Sequence, residues 1–385
     1  MVYSLRQCLW MTLFLLVSGC INPGPVCNRP YIQVGYDCCL DEDDNRICDR
    51  DKPVTATTIK ALATSTTRTT TTLQPVPASP SWQYRTGYTI HNQGESLEDF
   101  QVLLDVDTRN LVTEGKMLAD CADIRFTDSE GKEMPYYIQP GTNNTPHTYV
   151  TVKVPHIPAN GSTTVFMYYG NDKAPPASNG KETYIAYFGF DDYVNGILTG
   201  QDGWGGTTGQ EAMDVQSRIK LGGEGKAIEL NDPKRGDMYH THELPATRQI
   251  VYTTFMRRDS IEAQTTTYVK STYKDMTAIE YIEGGYLNIW TDRRGLKAAA
   301  LDDDRWYRID VALDCDREVI PWVKVDHNKM ASDLPLADDQ SCDYIDNIRL
   351  AWGTSPSDTW IDDISMSKYA EPMPTYSKGQ EEKIH

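Results

Sequence analysis

Residues 149–154, Tyr149-Val150-Thr151-Val152-Lys153-Val154, alternate with a period of two. Successive side chains of a strand point to opposite faces, so this stretch predicts a strand with Val150, Val152 and Val154 on one side. Working outward, Thr164 to Tyr169 reads as another apolar strand, and Tyr88, Ile90, Val102, Leu104 and Val106 mark earlier ones, with Ile124-Arg125-Phe126 between. Gly94, Gly131, Gly141, Pro155, Pro158 and Gly161 punctuate these runs. The pattern predicts an antiparallel sandwich over residues 82–172.

Beyond Lys173–Gly180 (KAPPASNG), which reads as a hinge, residues 184–370 consist of short strands. Tyr187-Phe188-Gly189-Phe190-Asp191-Asp192 opens this module, and Gln201-Asp202-Gly203-Trp204 follows. Gly284-Gly285 between two alternating runs is a two-residue hairpin signal. Trp306–Leu313 is expected to pair with Val319–Val325, and Trp360–Ser367 closes the module. Spacing of this kind predicts a two-sheet jelly roll. The fold class is therefore all-β, with two sandwiches in tandem and residues 371–385 as a flexible tail.

Residues 53–81 hold ten Thr, three Ser and four Pro, with no acid and no aromatic. Such a composition cannot offset its ordering entropy and is expected to be a disordered stalk. Fully extended, it would reach roughly 90 Å. Across the chain, 23 Tyr and eight Trp favour strands. A net charge of −18 excludes nucleic acid as a partner, because phosphates must be met by Lys and Arg.

At the amino end, Arg6 precedes the apolar run Leu9–Val17, which is too short to span a bilayer. Val17-Ser18-Gly19-Cys20 resembles the lipobox of prokaryotic lipoproteins. The resemblance implies a signal peptide over residues 1–19 and acylation of Cys20, so that the membrane is reached only through a lipid anchor. The alternative is ordinary secretion, with Cys20 in a disulfide. In the membrane-proximal segment 20–52, Cys27, Cys38, Cys39 and Cys48 read as two disulfides of undetermined pairing. Asp41, Asp43, Asn45, Ile47 and Asp49 occupy alternate positions suited to oxygen ligands of calcium. They resemble the loops of dockerin and thrombospondin type-3 repeats, although Arg46 stands where those loops have Gly. A solvated acidic turn is the other reading.

Trp82-Gln-Tyr84-Arg85, Ala122-Asp123-Ile-Arg125-Phe126, Val152-Lys-Val-Pro155-His-Ile157-Pro158-Ala159 and Tyr168-Tyr169-Gly170-Asn171 resemble the family called domain of unknown function 2341. That family occurs in secreted and surface proteins of archaea and bacteria, and an archaeal lipoprotein is expected. It implies no activity. Asp123 and Arg125 share a strand face and read as a structural ion pair. Phe190-Asp191-Asp192 and Trp360-Ile361-Asp362-Asp363-Ile364 resemble the ends of concanavalin A-like or laminin-G-like jelly rolls, whose members commonly bind glycans or proteins, often with calcium. The resemblance implies adjacent first and last strands, bringing Asp191 or Asp192 near Asp362 or Asp363, a pair fit for calcium.

Cys315 and Cys342 are the expected disulfide of this module, leaving Cys121 either buried and free or bonded to the small cysteine region. Asn143 and Asn160 lie in glycosylation sequons. Trp204, in a Gly-rich loop, is the candidate platform for stacking a sugar ring. No catalytic residue emerges: no paired-carboxylate run, Gly-x-Ser-x-Gly or phosphate loop is present. His240 and His242 share a strand face but lack a visible third metal ligand. No organic cofactor is expected. The sequence thus points to a lipid-anchored protein on the outer cell surface, holding an extracellular glycan or protein through its jelly roll without catalysis. The alternatives are a polysaccharide-active enzyme with a non-standard carboxylate pair and a structural envelope component.

Overall fold

The structure, a computed structural model, describes residues 31–34, 37–40, 82–206, 213–230, 238–270, 278–291, 294–336, 342, 344–352 and 357–384. The chain separates into two compact units, Met1–Thr70 and Thr71–His385. In the first, β1 (Tyr31–Val34) and β2 (Asp37–Leu40) form an antiparallel hairpin that sets Ile32 against Cys39 and Gln33 against Cys38. Cys20, Cys27, Cys48, the Asp41–Asp49 stretch and the Thr-rich segment lie outside the described residues, as do the side chains of Cys38 and Cys39.

The second unit begins with β3 (Tyr84–His91), β4 (Leu97–Val106), helix α1 (Thr108–Thr113), β5 (Arg125–Thr127), β6 (Glu133–Met134), β7 (Tyr136–Ile138), β8 (Thr148–Ile157) and β9 (Ser162–Tyr169). After helix α2 (Gly180–Thr183) come β10 (Ala186–Phe188), β11 (Gly196–Ile197), β12 (Gly205–Gly206), β13 (Met213–Gln216), β14 (Ala227–Leu230), β15 (Met238–Thr247) and β16 (Gln249–Arg258). They are followed by β17 (Thr265–Lys270), β18 (Ala278–Glu283), β19 (Tyr286–Thr291), β20 (Arg294–Ala300), β21 (Tyr307–Asp314), β22 (Val319–Val325), β23 (Asn328–Pro335), β24 (Ile345–Trp352), β25 (Thr359–Lys368) and β26 (Thr375–Lys383).

Two sandwiches result, each around its own core. In the first, the sheet β26-β3-β9-β5-β6 faces the sheet β4-β8-β7, and Val150, Val152 and Val154 enter a core with Phe100, Ile124 and Phe126. In the second, β11-β13-β14-β25-β16-β21-β22-β23, with β10 also on β25, faces β12-β15-β24-β17-β18-β19-β20. Its core includes Leu287, Ile289, Ile348, Leu350, Ile361 and Ile364. Gly284 and Gly285, both at positive φ (55° and 82°), make the turn between β18 and β19. Cys315 and Cys342 are disulfide-bonded, and Cys121 is buried and free.

Three expectations are corrected. Residues 371–385 are not a tail: β26 pairs along β3, from Thr375 opposite His91 to Lys383 opposite Tyr84. The first sandwich is therefore discontinuous, and the jelly roll is inserted between β9 and β26 rather than following in tandem. TYSKGQEEK lacks an apolar run because an edge strand with little buried surface needs none. Its hold comes from the backbone ladder, from Tyr376 on Tyr88 (ring centroids 5.9 Å apart) and from ion pairs Lys116–Glu381 and Arg85–Glu382. Nor is 173–180 a free hinge. Arg125 Nη2 donates to the Pro175 carbonyl (2.6 Å), Ile138 N–H to Ser178 Oγ (2.9 Å) and Asn179 N–H to the Tyr136 carbonyl (2.9 Å). Asp123 and Arg125 do not pair with each other. Asp123 accepts from the Leu118 and Gly170 N–H groups, while Arg125 donates to the Ala122 and Ile124 carbonyls as well.

Candidate functional site

The sandwiches meet across the outer face of the sheet containing β25. Ile361 and Ile364 both enter the core, although strict alternation would send residues three apart to opposite faces. A bulge reconciles them: Thr253 pairs with Ser365 but Phe255 with Asp362, with Asp363 at φ 51°. Both Asp362 and Asp363 are thereby turned away from the core, toward the first sandwich. Tyr137 of β7 donates its hydroxyl to Asp363 Oδ1 (2.5 Å) and lies 2.8 Å from the Tyr187 hydroxyl. The rings of Tyr137, Tyr184 and Tyr187 pack together, centroids 4.9–6.0 Å apart. Tyr184 in turn donates to Thr151 Oγ1 (2.9 Å), on the non-core face of β8.

Alongside, Arg308 forks onto Asp310 at 2.8 and 3.0 Å and reaches Gln139 Oε1 of the first sandwich (2.9 Å). Burial opposes both charges of this pair, but mutual attraction wins, holding Asp310 below and Arg308 above its usual range. Among the described residues no cation is hydrogen-bonded to the Asp363 carboxyl, although the nearby Arg308 charge draws it down. Burial raises it to about 6, against the hydrogen bonds from Tyr137 and Tyr187. Burial, then the neighbouring Asp363 and Asp191 charges, push Asp362 well above the ordinary carboxylate range.

Above this junction opens a cleft of about 900 Å3, walled by Asp120, Asn143, Asn179, Lys181, Tyr187, Asp191, Asp192 and Glu224 among others. Backbones form part of its wall: a Cβ on Gly222 would sit 2.5 Å from Gly141 N. Likewise a Cβ on Gly225 would sit 2.1 Å from Asp191 Oδ1, which accepts from Lys226 N–H (2.8 Å). Burial raises the Asp191 carboxyl, and Asp192 adds to the shift.

The expected adjacency of opening and closing strands is present, Phe188 pairing with Ile364. It brings the Asp191 and Asp362 charges within mutual influence. Asp192 instead projects into solvent and pairs with Lys181 at 3.5 Å. Among the described residues no three His, Cys, Asp or Glu side chains are grouped to hold a metal ion. An ion between Asp191 and Asp362 would thus draw its remaining ligands from backbone carbonyls and water. The side chains of His240 and His242 lie outside the described residues. Asn143 and Asn160 are exposed on the first sandwich.

Trp204 is not a sugar platform. It is 1 % exposed, packs edge-on against Phe188 (centroids 5.2 Å) and donates its indole N–H to the Tyr193 hydroxyl (3.2 Å). Glycine neighbours suggested an open loop, but the loop folds its one large apolar side chain into the core.

A different surface carries one exposed aromatic side chain, Tyr286, and two half-buried ones, Tyr268 and Trp290. On the seven-stranded sheet, Thr265, Thr267, Val269, Leu287, Ile289, Ile348 and Leu350 are buried. Alternation therefore places Thr266, Tyr268, Tyr286, Asn288, Trp290, Asn347 and Arg349 on the side away from the core, where Asn288 is nonetheless buried. Arg349 lies over the Tyr268 ring (5.9 Å) and Lys297 over the Tyr286 ring (4.2 Å). Gly295 stands opposite Trp290 in the ladder. Asn347 is only 6 % exposed, and its Oδ1 has no hydrogen-bond partner. The alternation of these strands was legible; the selection of Tyr268, Trp290 and Tyr286 over Trp204 was not, since it depends on which sheet the first sandwich covers.

The model of a domain of unknown function, DUF2341, matches residues 120–205. That span runs from the first sandwich across the junction into the opening strands of the second, and takes in Tyr137, Tyr184, Tyr187 and Asp191. No curated protein matches the chain. Among solved structures, a sialidase is similar at TM-score 0.39 and 11 % identity, covering 56 % of this chain and 21 % of its own. This chain thus spans about a fifth of that protein. An endo-β-1,4-glucuronan lyase from Trichoderma reesei is similar at TM-score 0.33 and 12 % identity, covering 49 % of this chain and 96 % of its own. The globular domain of a Trypanosoma cruzi calreticulin ("T. cruzi calreticulin globular domain") is similar at 0.34 and 7 %, covering 47 % and 89 %.

Proposed function

We propose that the protein is a non-catalytic glycan-binding protein, displayed on the outer cell surface by an acylated Cys20, which holds a polysaccharide on the open face of the seven-stranded sheet. The observation that carries this reading is that three aromatic side chains, Tyr286 exposed and Tyr268 and Trp290 half-buried, lie on the side of that sheet away from the core. Sugar rings offer apolar faces that pack against aromatic rings. The double tether of the inserted jelly roll and the buried polar junction hold that face rigidly on the first sandwich. Calcium between Asp191 and Asp362 would neutralise two carboxylates that burial otherwise drives toward protonation.

A glycan array probed with the folded head, residues 82–385, with and without calcium, tests the binding. Retention of glycans that is lost in Trp290→Ala supports it; absence of binding under every condition refutes it. Anchoring is tested by Cys20→Ser, which should move the protein from the membrane fraction into the medium. Chelation should lower the melting temperature if calcium occupies the cleft, and leave Asp362→Asn unaffected.

A further inference from the structure

We infer that Asn160, and not Asn143, accepts an N-linked oligosaccharide on the folded protein, whatever the seven-stranded sheet holds. Both are exposed residues of Asn-x-Ser/Thr sequons, Asn143-Asn144-Thr145 and Asn160-Gly161-Ser162. Transfer joins Asn Nδ2 to the anomeric carbon of a sugar carried on a lipid phosphate or diphosphate. The bond from that carbon to the phosphate oxygen breaks, the lipid phosphate leaves with the electron pair, and the amide gives up one proton. The fixed spacing of the sequon makes the hydroxyl two residues on part of what the transferase reads. A folded chain therefore qualifies best where the amide nitrogen and that hydroxyl are both unengaged.

The fold treats the two sequons differently. Asn143 Nδ2 donates to the Asp120 carbonyl (3.2 Å). Its sequon hydroxyl, Thr145 Oγ1, donates to the Thr142 carbonyl (2.7 Å) and accepts from the His147 N–H (3.2 Å). Asn143 also walls the cleft between the sandwiches. Asn160 instead sits in the turn between β8 and β9, at φ 46°, a left-handed conformation that Asn adopts more readily than most residues. The turn is held by its backbone: Asn160 N–H donates to the Gly94 carbonyl (3.0 Å), and the Gly161 and Pro158 carbonyls accept from Asn92 N–H (2.9 Å) and Asn92 Nδ2 (3.1 Å). The Asn160 amide group and the Ser162 hydroxyl take no part in these bonds and have no other partner among the described residues. Ser162 is exposed as well. The ten residues of β8, Thr148–Ile157, separate the two sequons by roughly 30 Å. A glycan on Asn160 therefore stands clear of the cleft, whereas one on Asn143 would crowd its mouth.

The test incubates the folded protein with a lipid-linked oligosaccharide and an oligosaccharyltransferase that modifies both sequons as free peptides, residues 138–150 and 155–167. Mass spectrometry of the digested product then gives the occupancy of each site. Asn160 should be filled about tenfold faster than Asn143, which must first give up at least one hydrogen bond. Ser162→Ala should abolish modification at Asn160, and Asn143→Gln should leave it unchanged. In the free peptides the bias toward Asn160 should vanish, because neither fold-imposed bond remains. Equal occupancy in the folded protein, a preference for Asn143, or modification at neither site would overturn the inference. So would the same bias in the peptides, which would assign it to local sequence instead of to the fold.

Discussion

Replacing Tyr137 by Phe removes one hydroxyl from the junction and leaves the ring. In the native protein that hydroxyl donates at 2.5 Å to a carboxylate, Asp363, that is almost wholly buried and has no direct cation partner. A hydrogen bond to a charged group contributes about 1.5–3 kcal/mol, and a buried ion that loses a donor incurs most of that cost. Burial raises the Asp363 carboxyl to about 6 in the folded chain, from an ordinary value near 3.8. Its folded value is raised, so ionising it opposes folding at pH 7 by about 3 kcal/mol, and this penalty fades as pH falls through 6 toward 4. Tyr137→Phe removes a bond made chiefly to the ionised form. The variant should therefore lose about 2 kcal/mol at pH 7.5 and no more than about 1 kcal/mol at pH 5. Urea unfolding of residues 82–385 at both pH values, followed by tryptophan fluorescence, measures the difference. An equal cost at the two pH values, or none at pH 7.5, would show that Asp363 is not held as an ion by Tyr137.

Other consequences can be checked as directly. His327, stacked on Tyr149 with centroids 3.7 Å apart, is lowered to about 4 by burial and by nearby Arg308. With its folded value below its unfolded one, its neutral form costs stability as pH falls from 6.5 toward 4, and His327→Gln should flatten that part of the stability–pH curve. Truncation after Glu371 removes β26 and exposes the β3 edge; calorimetry should show a lower melting temperature, and light scattering a tendency to associate. Cys315→Ser with Cys342→Ser opens a loop of sequence separation 27 and should destabilise the jelly roll by about 3.5 kcal/mol in urea unfolding. Gly222→Ala places a Cβ against the Gly141 backbone and should loosen the junction, read as faster amide exchange in both facing loops.

By itself the sequence determined which face of most strands is apolar. Side-chain direction alternates with residue number, so Val150, Val152 and Val154, or Leu287 and Ile289, could be assigned to cores from their spacing alone. The turn at Gly284-Gly285 and the Cys315–Cys342 bond followed from equally local or pairwise signals, whereas the adjacency of opening and closing strands was implied only by a family resemblance. The bulge at Asp363 was not read: Ile361 and Ile364, three apart across Asp362-Asp363, break strict alternation, but only the ladder, with Thr253 and Phe255 out of step, shows how both reach the core. β26 was hidden because its polar residues pair with a strand nearly 300 positions away, and edge strands carry no apolar signature.

What lies on the other face of each strand only the tertiary structure decided. Tyr307–Asp314 alternates, so Arg308 and Asp310 read as solvent-facing, yet the first sandwich covers them and they become a buried pair. On the opposite sheet the same kind of alternation leaves Tyr268, Trp290 and Arg349 half-buried, not covered by the first sandwich. Whether a polar face meets water or another domain is a matter of docking, and docking is set by contacts between residues far apart in the chain. For that reason Trp204 could be mistaken for a platform, and the face that now carries the functional proposal was not singled out from its residues alone.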